Sequence, residues 1–193
     1  RMAFEGARIA REAADEAQEI AAKVGLQRKV WVAGSMGPTS KSLSLSPDVA
    51  DPAFRPYRFD QMKEAYRVQA EALLKGGADL LLIETCFDAL NVKAALAAIM
   101  EIDRERLYDG TGILPPTARR RGQAPLGERR CRQHALQDTP PVMISVSVGD
   151  RSGRTLTGQT MEAFYTSVKH ASLAAFGLNC SLGAAELMPL VED

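Results

Sequence analysis

Four short apolar runs stand out along the chain: residues 30–35 (VWVAGS), 79–84 (DLLLIE), 142–148 (VMISVSV) and 174–180 (AAFGLNC). Their length and their branched and aromatic content predict β-strands. The runs are nearly continuous rather than alternating, which is the pattern of parallel strands covered on both faces by helices. The intervening segments carry helical periodicity. Asp60 stands before MKEAYRVQAEALLK, where Met62, Tyr66, Ala70, Leu73 and Leu74 mark one buried side and Gly76 and Gly77 end the run. Asp88 can cap ALNVKAALAAIMEI, and Thr160 can cap MEAFYTSVKHA with Phe164, Val168 and Ala171 inward. A helix precedes the first strand and another starts near Ala184. This order predicts right-handed parallel crossovers, in a barrel or in an open doubly wound sheet. Pattern alone does not choose between the two.

Composition narrows the function classes. At 193 residues, 46% hydrophobic and 25% charged, the chain is an ordinary globular one. Lys plus Arg equals Asp plus Glu at 24 each, so global charge offers no argument for nucleic acid, an anionic membrane or an acidic partner. The expected partner is small. No apolar run reaches the roughly 18 residues of a membrane span, and the opening RMAFEGARIAREAADEA is a charged helix rather than a signal peptide, so the expected location is cytoplasmic. Cys86, Cys131 and Cys180 are odd in number and far apart, which points to free thiols or metal ligands rather than disulfides. Both termini fall inside helical patterns, which predicts a chain cut at both ends.

Residues 108–141 break the pattern. They hold five of the ten prolines, six arginines and three acids, with no apolar period. As a loop of more than about 15 residues this is anomalous inside a compact domain. A solvated insertion and a segment arising from a misread coding frame are both compatible with it. A nucleic-acid patch is disfavoured, because no aromatics interleave with the arginines.

Candidate chemistry sits where parallel α/β folds gather it, at the carboxyl ends of strands. The first strand leads into Gly34-Ser35-Met36-Gly37-Pro38-Thr39-Ser40, which is neither a P-loop nor GxGxxG. Glu84 ends the second run directly after four apolar residues. A carboxylate there needs a partner, either a substrate amine or an internal salt bridge. Cys86, two residues on, reads as a packed thiol. Cys180 closes the fourth run beside Asn179 and can be a nucleophile or a soft metal ligand. No CxxC, HExxH or paired-histidine spacing accompanies it. His134 lies in the anomalous segment and His170 late in a helix. The loop 150–160 reads as a structural connection.

Taken together, VAGSMGPTSKSLSLSPDVADPAFR, FDQMKEAYRVQAEALLKGGADLLLIETCFDALNVKAAL, PVMISVSVGDRSGRTLTGQTMEAFYTSVKHA and FGLNCSLGAAEL resemble, in order, the homocysteine-binding, zinc-dependent module of cobalamin-dependent methionine synthase, of the homocysteine S-methyltransferase family. The resemblance covers nearly the whole chain outside residues 108–139. It implies a (β/α)8 TIM barrel, of which about four of the eight strands are present, so that residues 1–193 are a fragment of one barrel domain with 108–141 as an irregular insertion. Removing that stretch leaves 159 residues, against about 250 for a complete barrel.

The resemblance also implies chemistry. The family holds zinc with three cysteine thiolates and leaves the fourth position to the substrate sulfur. Cys180, in Gly-Leu-Asn-Cys, matches the first of these. The other two are adjacent cysteines in a glycine-rich stretch absent from this sequence, and Cys86 and Cys131 do not match them. The family's first-strand motif, an acidic residue before a Gly- and Thr-containing turn, is absent too. Glu84 matches the glutamate near the substrate amino group, and Ser35 and Asn179 are expected to line the same pocket. Zinc stabilises a thiolate that a free thiol, with a pKa near 8.5, mostly lacks at neutral pH. The implied donor is methylcobalamin, recharged by methyltetrahydrofolate, on cobalamin-binding and folate-binding modules not present in this chain. The expectation is a homocysteine-binding part that is inactive on its own. The alternatives are a non-catalytic binding or assembly piece of a split barrel, and an enzyme using Cys180 as a covalent nucleophile, for which no histidine is placed as a base.

Overall fold

The computed structural model describes residues 1–107 and 140–192. The expectations for the Arg/Pro-rich insertion, with Cys131 and His134, fall almost wholly outside these residues. The elements are α1 (Met2–Lys23), β1 (Ala33–Met36), α2 (Phe59–Lys75), β2 (Leu80–Cys86), α3 (Ala89–Leu107), β3 (Val142–Ser147), α4 (Met161–Val168) continued by a 3-10 turn (Lys169–Ala171), β4 (Ala175–Asn179), and two one-turn helices, Ala184–Leu187 and Pro189–Glu192.

The four strands pair in chain order, β1-β2-β3-β4, and every pair is parallel. The helices follow one another across the sheet, α1 on α2, α2 on α3 and α3 on α4. The order never reverses, so there is no doubly wound switch point. This is part of a (β/α)8 barrel with an unclosed sheet.

Burial alternates along the strands. Gly34, Met36, Leu81, Ile83, Val142, Ile144 and Val146 are buried, whereas Ser35, Leu82, Met143 and Ser145 between them are exposed or half-exposed. The continuous apolar runs thus do not mean helices on both faces. Helices cover one face, and the other corresponds to a barrel interior, which side chains of strands rather than helices fill.

Local chemistry explains the boundaries. β1 begins at Ala33, three residues later than the apolar run, because Asp79 binds the preceding backbone: its carboxylate accepts from Val32 N at 2.7 Å and from Arg11 at 2.9 Å. α2 starts at Phe59, one residue before the expected cap Asp60, which is exposed. Its first turn is closed instead by Gln61, whose side-chain oxygen accepts from Arg58 N at 2.9 Å. Gly76 follows the last turn where α1 crosses. A Cβ there would lie 2.5 Å from the Phe4 carbonyl and 2.8 Å from the Ala7 Cβ, so only glycine permits the approach. Thr160 caps α4 as expected, accepting from Ala163 N, with Phe164 and Val168 fully buried.

The loop between β1 and α2 is anchored by Asp88, only 2% exposed. Its carboxylate accepts from the Ser42 hydroxyl, from Ser44 N (3.0 Å) and hydroxyl (2.7 Å), and from Leu90 N (2.9 Å) at the start of α3. The serines of this loop therefore bind the protein's own helix cap.

Candidate functional site

The carboxyl ends of the strands carry a polar cluster on the face that no helix covers. Ser35 of β1 is on it, opposite in phase to buried Gly34 and Met36. Its hydroxyl donates to the Glu84 carboxylate, and its carbonyl accepts from the Gln69 amide at 3.3 Å. Glu84 is half-buried, and no Lys, Arg or His lies within ion-pair distance of it among the described residues. The internal salt bridge left open by the sequence is therefore not formed there.

β2 contains a bulge at this point. Ile83 pairs with Ile144 but Cys86 with Val146, so Glu84 and Thr85 together oppose the single residue Ser145. The extra residue turns Cys86 inward. It is 4% exposed, its thiol donates to the Ser145 carbonyl at 3.1 Å, and burial pushes that thiol up to about 12. A thiol held protonated is a poor ligand, so the reading of Cys86 as a packed residue is the right one.

Asn179 ends β4 on the face of Ser145. Its side-chain oxygen accepts from the Ser145 hydroxyl at 2.9 Å, while its Nδ2 donates to Thr85 Oγ1 at 2.8 Å and to Cys180 Sγ at 3.2 Å. Cys180 lies just past the strand, exposed and in the left-handed region with φ 63°. The structure thus brings together Ser35 with Glu84 and Asn179 with Cys180, and Thr85, adjacent to Glu84, joins the two pairs. Thr85 and Ser145 were not singled out from the sequence. The available signal was the serine alternation in VMISVS, which puts Ser145 and Ser147 on one face.

His170 is exposed in the 3-10 turn after α4. The loop after β3 is tied to itself, with Ser152 N donating to Asp150 at 2.8 Å, the Ser152 bonds holding the Asp150 carboxyl below its ordinary range, and the Thr157 hydroxyl reaching the Phe87 carbonyl at 2.8 Å.

A catalytic zinc site takes three protein ligands and a structural one four. Among the described residues no three His, Cys, Asp or Glu side chains gather as such a set. Cys180 offers one exposed thiol and Cys86 none. These residues do not by themselves form a zinc site. No helix among them is long and apolar enough to cross a membrane.

A family model described as homocysteine S-methyltransferase matches residues 1–193. The crystal structure of the homocysteine methyltransferase MmuM from Escherichia coli, in its apo form, aligns with a TM-score of 0.63 at 16% identity, covering 98% of this chain and 52% of that one. The chain spans about half the length of that solved structure, and the likeness is one of fold.

Proposed function

Because the chain belongs to the homocysteine S-methyltransferase family, we propose that the polar end of its open sheet face binds homocysteine, the Glu84 carboxylate receiving the ammonium group while the Ser35 hydroxyl orients that carboxylate. The state of Glu84 carries the reading. It is a half-buried anion at a strand end, held by one hydroxyl and by no cation among the described residues. Removing a charge from water is costly unless an opposite charge compensates, and a substrate ammonium supplies one.

In this reading Cys180 faces the sulfur end of the substrate. Zinc, when bound, would keep the substrate sulfur as a thiolate. The described residues contribute a single thiol towards it, so no step is derived through the metal. The finer reading is the methionine synthase reaction, with methylcobalamin on a separate module as donor, a methylated folate recharging it, and methionine as product. Its support is the ordered resemblance of the LLLIETC and GLNC segments. A second reading, a binding or assembly piece of a split barrel, is favoured by one observation: β1 and β4 each leave an edge unpaired among the described residues, an arrangement that invites further strands. Homocysteine binding without methyl transfer would distinguish it.

The test is a titration of the chain with homocysteine followed by NMR. Saturable binding that weakens at least about tenfold in Glu84→Gln, the loss expected for one partly desolvated ion pair, supports the proposal. Equal binding by both proteins overturns it.

A further inference from the structure

The bulge that carries Glu84 contains a backbone outlier. Thr85 sits at φ 54°, in the left-handed region, although it is β-branched. For such a residue this conformation is costly and persists only where the surroundings over-determine it. Here they do. Thr85 Oγ1 accepts from Asn179 Nδ2 at 2.8 Å, Asn179 Oδ1 accepts from Ser145 Oγ at 2.9 Å, and Asn179 Nδ2 also donates to Cys180 Sγ at 3.2 Å. An amide nitrogen has two hydrogens, and these two contacts account for both. Asn179, expected to contact substrate, is committed to the protein instead.

The bulge determines what faces the open side. In unbroken alternation Glu84 would face it, Thr85 would turn towards the helices and Cys86 would return to the open face. The extra residue instead sets Glu84 and Thr85 together opposite Ser145 and buries Cys86. Cys180 and Ser181 also stand at positive φ, 63° and 62°, so the turn that presents the thiol is strained as well and is tied to the bulge through Asn179.

We propose that Thr85 and Asn179 are positioning residues: their clamp holds the bulge that aims the Glu84 carboxylate and the turn that presents Cys180, and the strained Thr85 backbone is kept for that placement rather than for stability. The inference rests on the proposed function and deepens it.

Stability and affinity should then separate. Thr85→Gly removes the hydroxyl but relieves the left-handed strain, whereas Thr85→Ala removes the same hydroxyl and keeps the strain. Thr85→Ser keeps both hydroxyl and strain. The experiment measures the thermal midpoint and the homocysteine affinity of the wild-type chain, these three variants, Asn179→Ala and Glu84→Gln. The expected pattern is a midpoint for Thr85→Gly at or above that of Thr85→Ala, homocysteine affinity reduced about tenfold in Thr85→Gly, Thr85→Ala and Asn179→Ala, and affinity restored to near wild type in Thr85→Ser. Wild-type affinity in Thr85→Gly overturns the positioning role. A midpoint for Thr85→Gly below that of Thr85→Ala overturns the claim of stored strain. The proposed function fails separately: a wild-type chain that does not bind homocysteine, or that binds it equally well as Glu84→Gln, sinks that reading and the inference built on it.

Discussion

Replacing Asp88 with alanine removes a carboxylate that serves two elements at once. It caps α3 through Leu90 N, and it holds the loop after β1 through the Ser42 hydroxyl and both the amide and hydroxyl of Ser44. Losing a helix cap costs about 1 kcal/mol. Hydrogen bonds to a charged acceptor are worth about 1.5–3 kcal/mol each, but the serine hydroxyls can turn to water once released, so a total near 3 kcal/mol is expected. In a chain of this size that lowers the thermal midpoint by roughly 6–12 °C. The effect also has a pH signature. Burial pushes the Asp88 carboxyl up, but the Ser42, Ser44 and Leu90 hydrogen bonds outweigh it and hold the group below the ordinary carboxylate range. A group whose pKa is lower in the folded state contributes fully above its unfolded value, about 3.9, and the contribution disappears as pH falls through the folded value. Urea unfolding of wild type and Asp88→Ala across pH 3–8 should therefore give a difference that is flat above about pH 5 and shrinks below pH 4. A difference under about 1 kcal/mol at pH 7, or one that grows on acidification, would refute the reasoning.

Two further outcomes follow from packing. Gly76→Ala forces a Cβ against the Phe4 carbonyl and Ala7, so α1 must shift from α2; a loss of about 2 kcal/mol is expected, with faster proteolysis in the 24–32 connection, and wild-type stability would contradict the contact. Cys86, with its thiol pushed up to about 12 by burial, should resist iodoacetamide at pH 8 in the folded chain while exposed Cys180 reacts, as peptide mass spectrometry would show; comparable labelling of both would contradict the inward turn at the bulge.

Periodicity located the elements well where burial follows one face. Met62, Tyr66, Ala70 and Leu73 are buried on α2 as the spacing predicts, and Phe164 and Val168 on α4 likewise. It failed where a side chain's role depends on a distant partner. Residues 30–32 look like strand, yet Trp31 is exposed beneath the Lys29 ammonium, 3.6 Å from its ring, and Asp79 binds the Val32 amide. Local sequence could not separate barrel from doubly wound sheet, because helix-covered strands and barrel strands share the same apolar runs; strand order decided it. At the site, Glu84 and Cys180 were visible as polar residues ending apolar runs. The bulge was not, since nothing in Leu-Leu-Ile-Glu-Thr-Cys marks Thr85 for a positive φ. For the same reason Asn179 read as a substrate contact, whereas its amide is spent on Thr85, Ser145 and Cys180.

The most direct test of the central claim, that the Glu84 carboxylate receives the substrate ammonium, compares homocysteine with 4-sulfanylbutanoate, the same molecule without its amino group. The wild-type chain should bind homocysteine at least about tenfold more tightly, and Glu84→Gln should bind the two alike by losing affinity only for homocysteine. If Glu84→Gln keeps the wild-type preference, the carboxylate does not read the amine and the account is contradicted.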